Sequence, residues 1–174
     1  IGCGALGSSI LRVVKQFHPH SITVTDIDDA KLQEALDNGA TYAINSLKED
    51  VPARAHELTG GYGPTLTIDA ACVKGSLLTA LQATGNAGRV ITMGFSTRPD
   101  EVNQFVITSK ELDVRGSRLQ NRKFQEVIDM INDGKIDLRG SISHTWPMEK
   151  AQEAFDFVTS HDPSYRKGVL TFDK

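Results

Sequence analysis

Apolar positions along this chain follow two alternating rhythms. Short β-branched runs read as strands, and between them apolar residues recur at three- and four-residue spacing, the mark of an amphipathic helix. Ile10, Val13, Val14 and Phe17 define a helix over residues 9–17. Residues 21–25 form a β-branched strand that ends in Asp26. Residues 29–38 read as a helix with Leu32, Ala35 and Leu36 on one face and Gly39 as its stop. A strand at 42–44, a helix at 51–58, a strand at 66–69 and a helix at 75–83 continue the alternation. The run 88–94 is apolar between glycines, the pattern of a strand buried on both faces.

Further strands are expected around 103–107 and 112–114, and then the rhythm changes. Residues 123–132 form a helix with Phe124, Val127, Ile128 and Ile131 as its stripe. Trp146-Pro147 opens another through Val158, with Pro147 in its first turn, and 166–172 closes as a strand. Alternating strands and helices mean parallel strands joined by helical crossovers. The fold class expected is α/β, a doubly wound parallel sheet of six strands in the Rossmann manner. The boundary falls near residue 118, giving a domain over 1–118 and a C-terminal segment over 119–174.

Composition narrows the function classes. A net charge of −3 offers no basic field for a polyanion, so nucleic acid is not an expected partner. No apolar run approaches the roughly 20 residues of a membrane span. Cys3 and Cys72 stand apart without CxxC spacing, and the histidines at 18, 20, 56, 144 and 161 are scattered, so no metal site is expected in the chain. Isolated cysteines fit a reducing cytoplasm. Cys72 reads as a small buried hydrophobe, and Cys3 as the variable residue of a turn.

The chemistry concentrates at Gly2-Cys3-Gly4-Ala5-Leu6-Gly7, a G-x-G-x-x-G pattern. Its first glycine makes a tight turn off a strand, its second admits a pyrophosphate close to the backbone, and its third lets the helix pack on the sheet. Free N–H groups at the helix start then hold the phosphates. Only Ile1 precedes the turn, so the chain reads as part of a longer protein whose first strand is truncated. Asp26 ends the next strand 19 residues after Gly7, where a carboxylate accepts from ribose hydroxyls. An acid there repels a 2′-phosphate, and the loop Ile27-Asp28-Asp29-Ala30 has no Arg, so NAD is favoured over NADP. A methyltransferase is the rival fold, but it carries an acid just before its first glycine, where this chain has Ile1.

From the turn onward the sequence resembles the zinc-containing alcohol and polyol dehydrogenases of the medium-chain dehydrogenase/reductase superfamily. The likeness runs through residues 1–7, Asp26 with Lys31 and Ala35, the 38–41 step, 67–70, 88–90 before Gly94, 110–112, and the ending 167–172. The stretches 93–96 and 116–119 look most like the starvation-sensing, sorbitol- or sugar-acid-type branch. The resemblance implies hydride transfer between a secondary alcohol and nicotinamide, with zinc held by an absent N-terminal domain. It implies that Lys31 lies near the adenosine ribose, that Ile27 is also cofactor-binding, that Ala70, Ala71, Gly94 and Phe95 flank the nicotinamide, and that Lys167 lies near the phosphates. Arg118 matches a substrate-side Arg only with a shift of about one residue. It implies a homodimer or tetramer, with 103–107 as the edge strand that joins copies. The competing readings are a zinc-free quinone reductase-like protein and a non-catalytic dinucleotide sensor.

Overall fold

A computed structural model of the chain describes residues 1–160, 162 and 164–172; His161 lies outside them. The chain divides into two compact units, Ile1–Gln125 and Glu126–Lys174. In the first, α1 (Ala5–Val14) leaves the glycine turn and tightens into a single 3-10 turn over Lys15–Phe17. That change of period swings Phe17 off the apolar face read from the sequence, leaving it 73% exposed.

β1 (Thr23–Asp26) pairs in parallel with β2 (Tyr42–Asn45), and α2 (Asp29–Asp37) links them. Side-chain carboxylates start the helices here. Asp28 accepts from Ala30 N–H at 2.9 Å, and Asp50 accepts from Ala53 N–H at 2.8 Å to open α3 (Val51–Leu58). β3 (Leu66–Asp69), β4 (Arg89–Thr92) and β5 (Asp113–Gly116) form a second parallel set in that order, with α4 (Ser76–Ala83) between β3 and β4. Ile1 and Gly2 stand between the two sets, bonded to β1 on one side and β3 on the other. One core gathers Cys3, Leu11, Leu32 and Ala35; a second gathers Ala80, Leu81 and Val90.

Three expectations are overturned. The stretch 103–107 is no edge strand: α5 (Gln104–Thr108) occupies it, started by Asn103, whose side-chain oxygen accepts from Phe105 N–H at 2.8 Å. Val102, Val106 and Ile107 sit at helical spacing and pack together against the Ala80–Leu81–Val90 core, a face an edge strand would not bury. The outer strand of the set is β5 instead, so the expected joining of copies through 103–107 loses its premise. Nor does a helix open at Trp146. β6 (His144–Pro147) runs there, parallel to β7 (Gly168–Thr171), because Trp146 packs on His144 and Phe157 at 5.4 and 5.6 Å. Pro147 is extended, and α7 (Ala151–Thr159) begins only after a 3-10 turn. Finally, Cys72 is partly exposed in a left-handed turn of φ 56°.

In the second unit, His144, Trp146, Phe157 and Tyr165 form an aromatic cluster beneath α7. α6 (Phe124–Asn132) spans the division, and its expected stripe is largely open: Phe124, Val127 and Ile128 are exposed and none of its residues is buried.

Candidate dinucleotide site

The glycine turn is built by contacts that only glycine tolerates at two of its three positions. Gly2 has φ 90°, and a Cβ there would come within 2.8 Å of the Ala71 backbone nitrogen. A Cβ on Gly7 would collide with the Gly2 carbonyl. Gly4 differs: a Cβ there meets nothing within 4 Å. The protein does not require that glycine, and the space beside it lies open, as a closely approaching phosphate needs. Gly4 is also the N-cap of α1 and offers no side-chain cap, so the first-turn N–H groups, carried by the exposed Ala5 and Leu6 and by Gly7, are left for an outside acceptor.

Asp26 closes on this turn from the end of β1. Its Oδ2 accepts from Cys3 N–H at 2.7 Å, and its Oδ1 accepts from Ile27 N–H at 2.8 Å and Asp28 N–H at 3.1 Å. The carboxylate is thereby locked between the turn and its own loop. Ile27 is 61% exposed beside it, and Lys31 is partly buried, its Nζ 4.0 Å from the Asp28 carboxylate. Asn45 fixes this loop from β2, donating to Ile27 O at 3.2 Å and to Asp29 at 2.6 Å. Lys48 and Asn45 together hold the Asp29 carboxyl below its usual range.

The strand ends supply the other half of the candidate site. Ala70 N–H donates to Ile1 O at 2.9 Å. Asp69, 2% exposed, accepts from Ala71 N–H at 3.2 Å, from Cys72 N–H at 3.1 Å and from the Ser76 hydroxyl at 2.7 Å. Gly94 lies opposite, where a Cβ would sit 3.5 Å from that of Cys72. Phe95 follows, 67% exposed, with the Arg118 guanidinium 5.3 Å from its ring centre. The fold thus brings Gly2, Gly4, Ala5, Leu6, Gly7, Asp26 and Ile27 to one mouth of the sheet. It also sets Cys72, which follows Ala70 and Ala71, close to Gly94. Lys167 belongs to the second unit, exposed, its carbonyl accepting from Ser143 N–H at 2.9 Å.

Asp69 and Asn45 are the positioning residues that sequence reasoning missed. Asp69 reads only as the end of the 66–69 strand and Asn45 falls just past the expected 42–44 strand; burial and the bonds they make distinguish them. Burial also pushes the Cys3 thiol up to about 11. Among the described residues no group of three or more His, Cys, Asp or Glu gathers to hold a metal.

The comparisons with known proteins agree with this geometry. Residues 5–133 match the family model described as zinc-binding dehydrogenase, and the chain belongs to that family. Starvation-sensing protein RspB of Escherichia coli K12 is 35% identical over 174 residues, covering 99% of this chain and 51% of that protein. Human sorbitol dehydrogenase is 26% identical over 97% of this chain and 46% of its own length. The chain therefore spans about half the length of the curated relatives it matches. A crystal structure of the short chain alcohol dehydrogenase rspB from E. coli CFT073, complexed with cofactor NADH, superposes with a TM-score of 0.88 at 35% identity. That match covers 98% of this chain and 50% of the solved one.

Proposed function

We propose that this chain supplies the NAD-binding part of a zinc-type dehydrogenase that moves a hydride between a secondary alcohol, of the polyol or sugar-acid kind, and nicotinamide. The carrying observation is Asp26 locked against the glycine turn by its bond to Cys3 N–H. In this reading the first-turn N–H groups of α1 and the positive end of its dipole hold the pyrophosphate. Asp26 accepts from the adenosine ribose hydroxyls through lone pairs its backbone bonds leave over. Ile27 and Lys31 border the ribose. The backbone at Ala70, Ala71, Gly94 and Phe95 orients the nicotinamide, which supplies the hydride chemistry when bound. Arg118 over Phe95 is the substrate-side charge of this reading.

The described residues do not assemble a zinc site, so the residues of this chain are assigned cofactor binding and orientation only. Sorbitol dehydrogenase and RspB, through their likeness, support the alcohol class. An association of copies, where it runs sheet to sheet, is assigned to the outer strand β5, whose Val114, Arg115 and Gly116 are exposed. Isothermal titration of the chain with NADH and NADPH tests the central reading. NADH should bind at least about tenfold tighter, a difference of about 1.4 kcal/mol. Equal affinities would remove Asp26 from its assigned role.

A further inference from the structure

Asp69, the last residue of β3, is only 2% exposed, and both its carboxylate oxygens serve the loop that follows it. Oδ1 accepts from Ala71 N–H at 3.2 Å and from Cys72 N–H at 3.1 Å, while Oδ2 accepts from the Ser76 hydroxyl at 2.7 Å. The Asp69 carbonyl accepts from Met93 N–H at 3.2 Å, which ties the start of this loop to the end of β4. The loop needs such a hold. Cys72 has φ 56°, a left-handed conformation that a residue with a Cβ seldom adopts. Two successive N–H groups gathered on one oxygen fix it, as in a turn closed by an Asp side chain. The far end of the loop is tied as well, since Gly75 N–H donates to the Asp100 carboxylate at 3.1 and 3.2 Å.

The neighbours of this loop give the hold its consequence. On one side Ala71 stands against the glycine turn, where a Cβ on Gly2 would fall 2.8 Å from the Ala71 nitrogen and 3.1 Å from its Cβ. On the other side Cys72 faces Gly94, where an added Cβ would lie 3.5 Å from the Cys72 Cβ and 3.8 Å from its Sγ. Residues 71 and 72 therefore act as a spacer. They stand between the turn read as holding the pyrophosphate and the strand end read as holding the nicotinamide. The adenosine side is anchored elsewhere: Asp26 takes its bonds from Cys3, Ile27 and Asp28, and none of these involves the loop after β3.

We propose that Asp69 is a positioning residue for the nicotinamide half of the cofactor. Through the Ala71–Cys72 backbone it sets the spacing between the glycine turn and Gly94, and so fixes where the nicotinamide ring comes to rest. The inference rests on the dinucleotide reading above and deepens it by assigning the two halves of the ligand to two separately anchored parts of the site. Asp69 acts here through backbone and not by touching the ligand. Its removal lets Cys72 leave the left-handed region and shifts the spacer, while the Asp26 bonds stay in place. The resulting loss falls on the nicotinamide and spares the adenosine.

The test is calorimetric titration of the 174-residue chain with NADH and with ADP-ribose, which keeps the adenosine and pyrophosphate and lacks the nicotinamide. The parent should bind NADH at least about fivefold tighter than ADP-ribose. Asp69→Ala should abolish that preference while ADP-ribose affinity changes by less than about twofold. Asp69→Asn, whose amide oxygen still accepts from both N–H groups, should restore most of the preference. Ser76→Ala deletes one hydroxyl and should lower the preference in part, which keeps the test decisive if Asp69→Ala does not fold. A preference that survives both Asp69→Ala and Ser76→Ala overturns the proposal, as does an equal fall in affinity for the two ligands. A parent that binds both ligands equally overturns this proposal and leaves the dinucleotide reading standing. A parent that binds neither removes the dinucleotide reading, and this inference with it.

Discussion

A carboxylate that already accepts several backbone N–H groups is held in one place, and Asp26 is such a group. Asp26→Ala removes both the proposed ribose acceptor and the strut under the turn. Charge-assisted bonds of this kind contribute about 1.5–3 kcal/mol, so NADH affinity should fall roughly tenfold to a hundredfold by calorimetry. An unchanged affinity would show that the nucleotide does not reach this carboxylate. The buried Cys3 thiol beside it sets a pH signature. Burial raises it from 9.0 to about 11, so its contribution to stability is complete below 9.0 and is lost as pH climbs towards 11. Urea melts at a series of pH values should show that fall, and Cys3→Ala should abolish it; a fall that survives the substitution would assign it to another group.

At the scale of elements, α4 is fastened at both ends by residues far along the chain. Asp100 accepts from Gly75 N–H at its start, at 3.1 and 3.2 Å. At its end the Lys110 ammonium donates to the carbonyls of Leu81, Gln82 and Thr84 at 3.3, 2.6 and 2.9 Å. Those are the carbonyls a helix end leaves without partners, and a cation there also complements the dipole. Burial costs this ammonium something, since its pKa is lowered. Lys110→Met keeps the stem and deletes the three bonds, leaving Thr84, a fully buried residue, with an unmet carbonyl. A loss of about 1–3 kcal/mol is expected, read as a fall in melting temperature of several degrees. A melting temperature equal to that of the parent would mean that water replaces the ammonium without cost. Nothing in the spacing around Lys110 marks it for this task, because its partners lie more than twenty residues earlier. The glycine turn, by contrast, was legible: Gly7 packs on Gly2 within it, and Asp26, which accepts from Cys3 N–H, ends the next strand.

For the whole molecule, the expected behaviour is cofactor binding without turnover. In the proposed reading this chain carries the cofactor part of the site, and no cluster of metal-ligating side chains forms among the described residues. Mixed with NAD, added zinc and a panel of polyols, the chain should give no growth in reduced-nicotinamide absorbance. Loss of a Lewis acid at the alcohol removes several kcal/mol of stabilisation, and each 1.36 kcal/mol is tenfold in rate. Turnover at ordinary dehydrogenase rates would mean that the catalytic machinery lies within these residues. Local periodicity and local chemistry were enough to determine the α/β class, the order of most elements, the glycine turn and its acid. Each depends on residues near one another in sequence, or on one strand-helix-strand step. The remainder was decided by packing. Phe105, Val106 and Ile107 suit a strand or a helix equally, and the Ala80–Leu81–Val90 core chose the helix by burying Val106 and Ile107 together. Trp146 satisfied a helix start or a strand, and His144 and Phe157 chose the strand. Asp69 looked like any strand-end carboxylate until burial and three donors made it the organiser of the Ala71–Cys72 loop. In each case the deciding partner lies on another element, and short-range pattern carries no record of it.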